Sequence, residues 1–122
     1  AQQVADNENR GDFIAIIGDV SMQQGIDLLV SYAGTFGVKA LSLALAADQK
    51  TNPLYGDLRR SDHAPFWDVD IPALHMTDTS NFRYDAYHCF DGDDVMDNLD
   101  HGFASNVVRA TTAAAAELLG PQ

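Results

Sequence analysis

An α/β fold with a largely parallel sheet is predicted by three features of this 122-residue chain. A short, wholly apolar run lies at Phe13-Ile14-Ala15-Ile16-Ile17, helical periodicity follows it directly, and strand-type and helix-type segments then alternate to a final Ala-rich helix. A run apolar on both faces suits a strand covered on both sides, as in parallel sheets. The length allows one domain over residues 1–122, and 46% apolar content is enough for one core.

Residues 1–11 carry Asp6, Asn7, Glu8, Asn9 and Gly11 and read as a polar lead-in. The first strand ends at Gly18-Asp19. Ser21 is a suitable N-cap for a helix in which Met22, Ile26, Leu29, Val30 and Ala33 recur at helical spacing up to Gly34. Val38 to Ala46 is a second apolar run whose Leu and Ala content suits either a strand or a short helix. Asn52-Pro53 and Tyr55-Gly56 mark Asp48 to Asp57 as a loop. Ser61 is placed to cap a helical turn through Trp67, and Ile71 to Met76 reads as a third strand led in by Pro72. A polar and aromatic loop from Thr77 to Asp97 follows, and loops of about twenty residues in compact domains are usually either functional or disordered. Gly102 to Leu119 is a helix with Phe103, Val107, Ala110, Ala114 and Leu118 on its apolar stripe, stopped by Gly120-Pro121. In open parallel sheets the working loops lie beyond the carboxyl ends of the strands, so the loop after Met76 is expected there.

Composition removes several function classes. A formal charge of −11 with seven Lys and Arg argues against nucleic acid and against anionic membrane surfaces. No apolar run reaches the ~18–20 residues that span a bilayer. The single Cys excludes an internal disulfide. The chain opens on Ala-Gln-Gln rather than Met, which a removed leader, proteolysis or a start part-way through a longer protein would each produce.

Residues with chemical potential concentrate between Arg59 and Asp100. That stretch holds three of the four His (His63, His75, His88), the only Trp, the only Cys, and six Asp from Asp85 onward. His75, in an apolar strand, is expected to be a core or rim histidine, and His101, at the start of the last helix, to face solvent. Asp91-Gly92-Asp93-Asp94 lacks the Glu at loop position 12 that an EF-hand needs, so the acidic run is expected to be a solvated loop and helix cap. No motif supports a catalytic thiol at Cys89.

Taken together, Ser61-Asp62-His63-Ala64-Pro65-Phe66-Trp67, Ile71-Pro72-Ala73-Leu74, Thr77-Asp78-Thr79, Tyr87-His88, Asp94 and Leu99-Asp100 resemble, in order and spacing, the C-terminal half of the M28 family of zinc aminopeptidases. Arg10-Gly11-Asp12-Phe13-Ile14-Ala15 is similar to a strand of the same family, so the resemblance covers nearly the whole chain. It implies the C-terminal part of a three-layer α/β/α zinc-exopeptidase (phosphorylase/hydrolase-like) domain with a mostly parallel central sheet. It also implies hydrolysis of N-terminal peptide bonds, a peptide substrate, and a secreted or periplasmic location. By the same carry-over His88 is the last zinc ligand and Tyr87 a hydrogen-bond donor to the transition state. Asp62 and His63 either orient that site from behind or, for Asp62 with Ser61, cap the helical turn.

The resemblance equally implies what this sequence lacks. The family's His-x-Asp pair and adjacent Glu pair have no counterpart, since the only Glu residues are Glu8 and Glu117. One or two zinc ions are therefore expected only if another segment supplies the missing ligands, and the chain alone is not expected to be active. Asp70 stands where the family usually has Gly, and Cys89-Phe90 where it usually has Thr-Pro; Tyr87 before the His favours the peptidase branch over the related glutaminyl cyclases. Two functions remain open: a portion of a zinc aminopeptidase that works with a second chain or segment, or a non-catalytic half-domain reused as a self-assembling structural or interaction module. Either predicts a partner or self-association, because a sheet cut midway leaves an open edge and uncovered apolar surface.

Overall fold

Strand β1 (Phe13–Asp19) is the middle strand of a three-stranded sheet ordered β2-β1-β3, with β2 at Lys39–Leu45 and β3 at Leu74–Thr77. The computed structural model describes residues 12–120, so the expected lead-in over residues 1–11 and the stop at Pro121 lie outside the described residues. Three β-branched isoleucines favour extended backbone in β1. It runs parallel to β2, with Phe13 opposite Lys39 and Asp19 opposite Leu45.

Alternate side chains of β1 enter two separate cores, as the period of two in a strand requires. Ile14 and Ile16 pack with Ile26, Leu29 and Ala33 of helix α1 (Gln23–Thr35) and with Ala110 and Ala114 of the last helix. Ile17 packs with Leu45 and Trp67, and Ala15, Tyr55, Leu58 and Ala73 close around them. Both faces of β1 are thus covered, which is what its unbroken apolar run demanded. Gly18 is required by close approach: a Cβ there would lie 2.4 Å from Leu74 Cδ2 and 3.2 Å from Ile26 Cδ1.

Local boundaries differ from expectation in instructive places. Ser21 does not cap α1; the Asp19 carboxylate accepts the Ser21 N–H (2.9 Å), opens a 3₁₀ turn over Val20–Met22, and α1 starts only at Gln23. The run from Val38 to Ala46 resolves as strand β2. Asp48 to Asp57, expected as loop, is helical: α2 (Ala47–Thr51) is followed by a 3₁₀ segment, Pro53–Arg59. Asn52 marks the joint, accepting the Leu54 N–H (2.9 Å). Five residues are too few to show a helical apolar repeat, so composition alone misread the segment. Helix α3 (Ala64–Trp67) follows, and Ser61 supports it through its carbonyl, which accepts the Ala64 N–H (3.1 Å), rather than through its hydroxyl. β3 begins at Leu74 and not at Ile71, because the Ile71 N–H folds back on the Phe66 carbonyl (2.9 Å) and Pro72 has no N–H to offer.

The third strand also runs the other way. β3 is antiparallel to β1, with Gly18 opposite Leu74 and Ala15 opposite Thr77. The sheet therefore contains one parallel and one antiparallel pairing, and the fold is mixed α/β. As a consequence, the long loop after β3 leaves beside the amino-terminal half of β1 and not beyond the carboxyl ends of β1 and β2, where a uniformly parallel sheet would have put it. Helix α4 (His101–Leu119) follows the loop, capped by the Asp100 carboxylate, which accepts the Phe103 N–H (2.9 Å). Its stripe packs through Phe103, Val107, Ala110 and Ala114, while Leu118 stays exposed. No helix among the described residues is long and apolar enough to cross a membrane.

Candidate functional site

Tyr87-His88-Cys89 forms a single 3₁₀ turn held in an uncommon backbone conformation. His88 has φ 55° and Cys89 φ 59°, the left-handed region that disfavours side chains with a Cβ and costs roughly 1–2 kcal/mol per residue. Local hydrogen bonds oppose that cost. The Asp94 carboxylate accepts the His88 N–H (3.0 Å), the Ala86 carbonyl accepts the Cys89 N–H (2.8 Å), and the Asp85 carbonyl accepts the Asp91 N–H (3.1 Å), which closes the loop at its base. The rings of Tyr87 and His88 stack, with centroids 4.1 Å apart. Strained backbone that the surroundings over-determine is found preferentially at functional sites.

Behind this turn lies a second group built on the packed face of the sheet. His63 is buried, and its Nε2–H donates to the Leu58 carbonyl (2.7 Å), which fixes Nδ1 as the unprotonated nitrogen. That Nδ1 has no partner among the described residues. The His63 ring stacks on His75 (4.4 Å, 9°) and meets Trp67 edge to face (4.5 Å, 84°). Burial lowers the pKa of both histidines below the usual value, and each is further disfavoured as a cation by a neighbour, Arg59 for His63 and His63 for His75. Beside them the Lys50 ammonium is paired with the Asp19 carboxylate and lies 5.9 Å from the Trp67 ring. This pair holds the Asp19 carboxyl down to about 2, and Asp19 also accepts the Ser21 N–H.

Two cavities adjoin Tyr87. One, of about 460 Å³, is lined by Arg60, Asn81, Tyr84, Asp85, Tyr87, His88, Phe90 and Asp91. The other, of about 310 Å³, lies over Ala15, Ile17, His75 and Thr77 on the same sheet face as Trp67, with Arg60, Ser61, Asp78 and Phe82 at its walls. Tyr87 and Arg60 line both. Arg60 is tied down by Asn81 Oδ1 (3.0 Å) and by Asp57 (3.6 Å).

The predicted residues therefore fall into two places. Tyr87 and His88 stand together on the exposed loop, whereas His63 is committed to Leu58, Trp67 and His75, and Asp62 is exposed beside it. His75 is a half-buried rim histidine and His101 is exposed, as expected; Cys89 is a free, exposed thiol. The acidic run serves as loop scaffold and helix cap through Asp94 and Asp100. Arg60, Asn81 and Tyr84 were not singled out from sequence. Their signal is weak, since only the fold brings positions 60 and 81 into contact. Among the described residues no group of three or more His, Cys, Asp or Glu is placed to hold a metal ion.

The chain is similar to the uncharacterized protein YfbL of Escherichia coli (strain K12), with 31% identity over 107 residues. The match takes in 82% of this chain and 29% of that protein, so the chain spans less than a third of the length of the relative it matches. No family model and no solved structure matches the chain.

Proposed function

We propose that this chain is the C-terminal portion of a zinc-dependent aminopeptidase of the M28 type, contributing Tyr87 and His88 to a site that residues outside this chain complete. The observation that carries the proposal is the Tyr87-His88-Cys89 turn, strained at two successive residues, fastened by Asp94, and set against two cavities. A second observation agrees with it. Asp70, at the place where the resembled family usually has glycine, has φ 58°, the conformation that favours glycine. The finer architecture belongs to the same proposal: β1 to β3 would be the C-terminal part of a larger, mostly parallel three-layer α/β/α sheet domain, in a secreted or periplasmic protein.

Within that site Tyr87 would donate its hydroxyl to the oxyanion that forms when water adds to the scissile carbonyl. A phenol held by its stack on His88 loses little freedom in doing so. His88 would serve as one metal ligand. The described residues do not form a metal site by themselves, so this chain alone would not hydrolyse peptides.

The test uses the protein as it assembles with its missing ligands. Tyr87→Phe should lower kcat about 10²-fold or more with KM little changed, as loss of one oxyanion donor does. His88→Ala should abolish zinc retention, read by metal analysis after dialysis. Unchanged zinc content in His88→Ala, or unchanged kcat in Tyr87→Phe, would sink the assignment. A non-catalytic, self-assembling module is the second reading; the uncovered apolar side chains Leu43 on β2 and Val108 on α4 favour it, and native mass spectrometry showing metal-free homo-oligomers without peptidase activity would establish it.

A further inference from the structure

We infer that the 460 Å³ cavity beside Tyr87 and His88 is a subsite for a cationic side chain, a lysine or arginine at the N terminus of a peptide. Its volume lies within the range of small-molecule sites and can enclose one long side chain. Three of its walls are aromatic: Tyr84, Tyr87 and Phe90. Phe90 is 92% exposed and belongs to neither core cluster, so packing does not account for a phenyl ring there. An aliphatic stem can lie along such rings while its charged end meets their faces.

The charge balance then selects the ligand. Among the described residues Arg60 is the one Lys or Arg that lines the cavity, and it is engaged by Asp57 and Asn81. Asp85 and Asp91 also line the cavity, and among the described residues neither carboxylate takes a side-chain partner; the Asp91 N–H to Asp85 carbonyl bond (3.1 Å) keeps the two residues at the same end of the loop. An apolar side chain entering here would strip water from carboxylates without replacing it, whereas an ammonium or guanidinium would compensate them. The overall charge of −11 works in the same direction by drawing cations to the surface. The ligand's identity as a peptide N terminus rests on the proposed peptidase function; capture of the cationic side chain does not.

The experiment is an NMR titration of the chain with L-lysinamide, L-argininamide and L-norleucinamide at low ionic strength. The basic amides should bind about tenfold more tightly than norleucinamide, with shifts at Tyr84, Asp85 and Phe90, and the preference should fall as salt is raised. Asp85→Asn combined with Asp91→Asn should remove the preference, and Phe90→Ala should weaken all three ligands about threefold. Equal affinities, no binding of the basic amides, or a preference that survives the double Asn substitution would each overturn the inference. In the assembled enzyme the two proposals separate. Hydrolysis that prefers leucyl over lysyl substrates overturns this one alone, and lysine-selective binding without hydrolysis overturns the peptidase proposal alone.

Discussion

The segment that runs through β3 and the segment that follows it are both rich in potential chemistry, yet they are held by different forces. Arg59–Thr77 is anchored in the core: His63, Ala64 and Trp67 are buried, and their rings and backbone meet Leu58, His75 and Ala73. Asp78–Asp100 contains no buried residue and, apart from the Arg60–Asn81 bond, is shaped mainly by hydrogen bonds within itself: the Asp78 carboxylate accepts the Ser80 N–H (2.8 Å), and the Asn98 amide donates to the Tyr84 hydroxyl oxygen (2.8 Å). Exposed hydrogen bonds contribute little net free energy, so the second segment belongs to the easily opened part of the molecule. The lesson is a division of labour. The first segment is held by the core, and the loop that carries Tyr87 and His88 is the more easily opened of the two.

The sharpest way to test that contrast is to damage what supports the anchored segment from outside: the Lys50 carbonyl accepts from the Arg59 guanidinium (3.0 Å), and the Lys50 ammonium lies 5.9 Å from the Trp67 ring. Lys50→Ala would leave the Asp19 carboxylate largely buried without its partner and should destabilise the protein by about 3 kcal/mol, measured by chemical denaturation. Because Asp19 also turns the chain into α1, the loss should reach beyond the ion pair. A cost below about 1 kcal/mol would mean that the pair is effectively solvated and that this side is no better anchored than the loop.

Acidification separates the two segments in a second way. His63 and His75 have pKa values lowered on folding, so the folded state binds fewer protons than the unfolded one, and stability is complete above about 6.5 and declines as pH falls below it. Asp19, lowered from 3.8 to about 2, adds a further loss between those values. Protonating both histidines would also stack two cations 4.4 Å apart. The melting temperature should therefore drop from pH 7 to pH 5, and His75→Gln should flatten that slope. An unchanged slope would remove the histidine pair from the explanation.

What was legible beforehand follows the same division. β1, α1 and α4 were readable because their apolar patterns record burial that the fold realises, down to Ile14 and Ile16 on one face and Ile17 on the other. The reversed direction of β3 was not, since a four-residue strand carries no mark of its pairing partner. Tyr87 and His88 could be named as a pair from their motif, but their left-handed turn could not, because neither residue type signals it. For His63 the sequence leaves a supporting role toward that pair open. Its ring faces Leu58, Trp67 and His75, contacts made across folded elements that no local spacing encodes.

The smallest expected effect bears most directly on the loop. Asp94→Ala removes the acceptor of the His88 N–H and should cost only about 1 kcal/mol of global stability, because the group is exposed and water can replace it. Locally the consequence should be larger. Without that acceptor, His88 and Cys89 have less to offset their left-handed backbone, and the turn should relax toward ordinary φ values. Amide hydrogen exchange at His88 should then accelerate about tenfold or more, while exchange at Ile16 and Ile17 stays unchanged. If exchange instead rose in both places, the loop and the sheet would open as one unit. The site proposed for Tyr87 and His88 would then have to draw its order from the core after all.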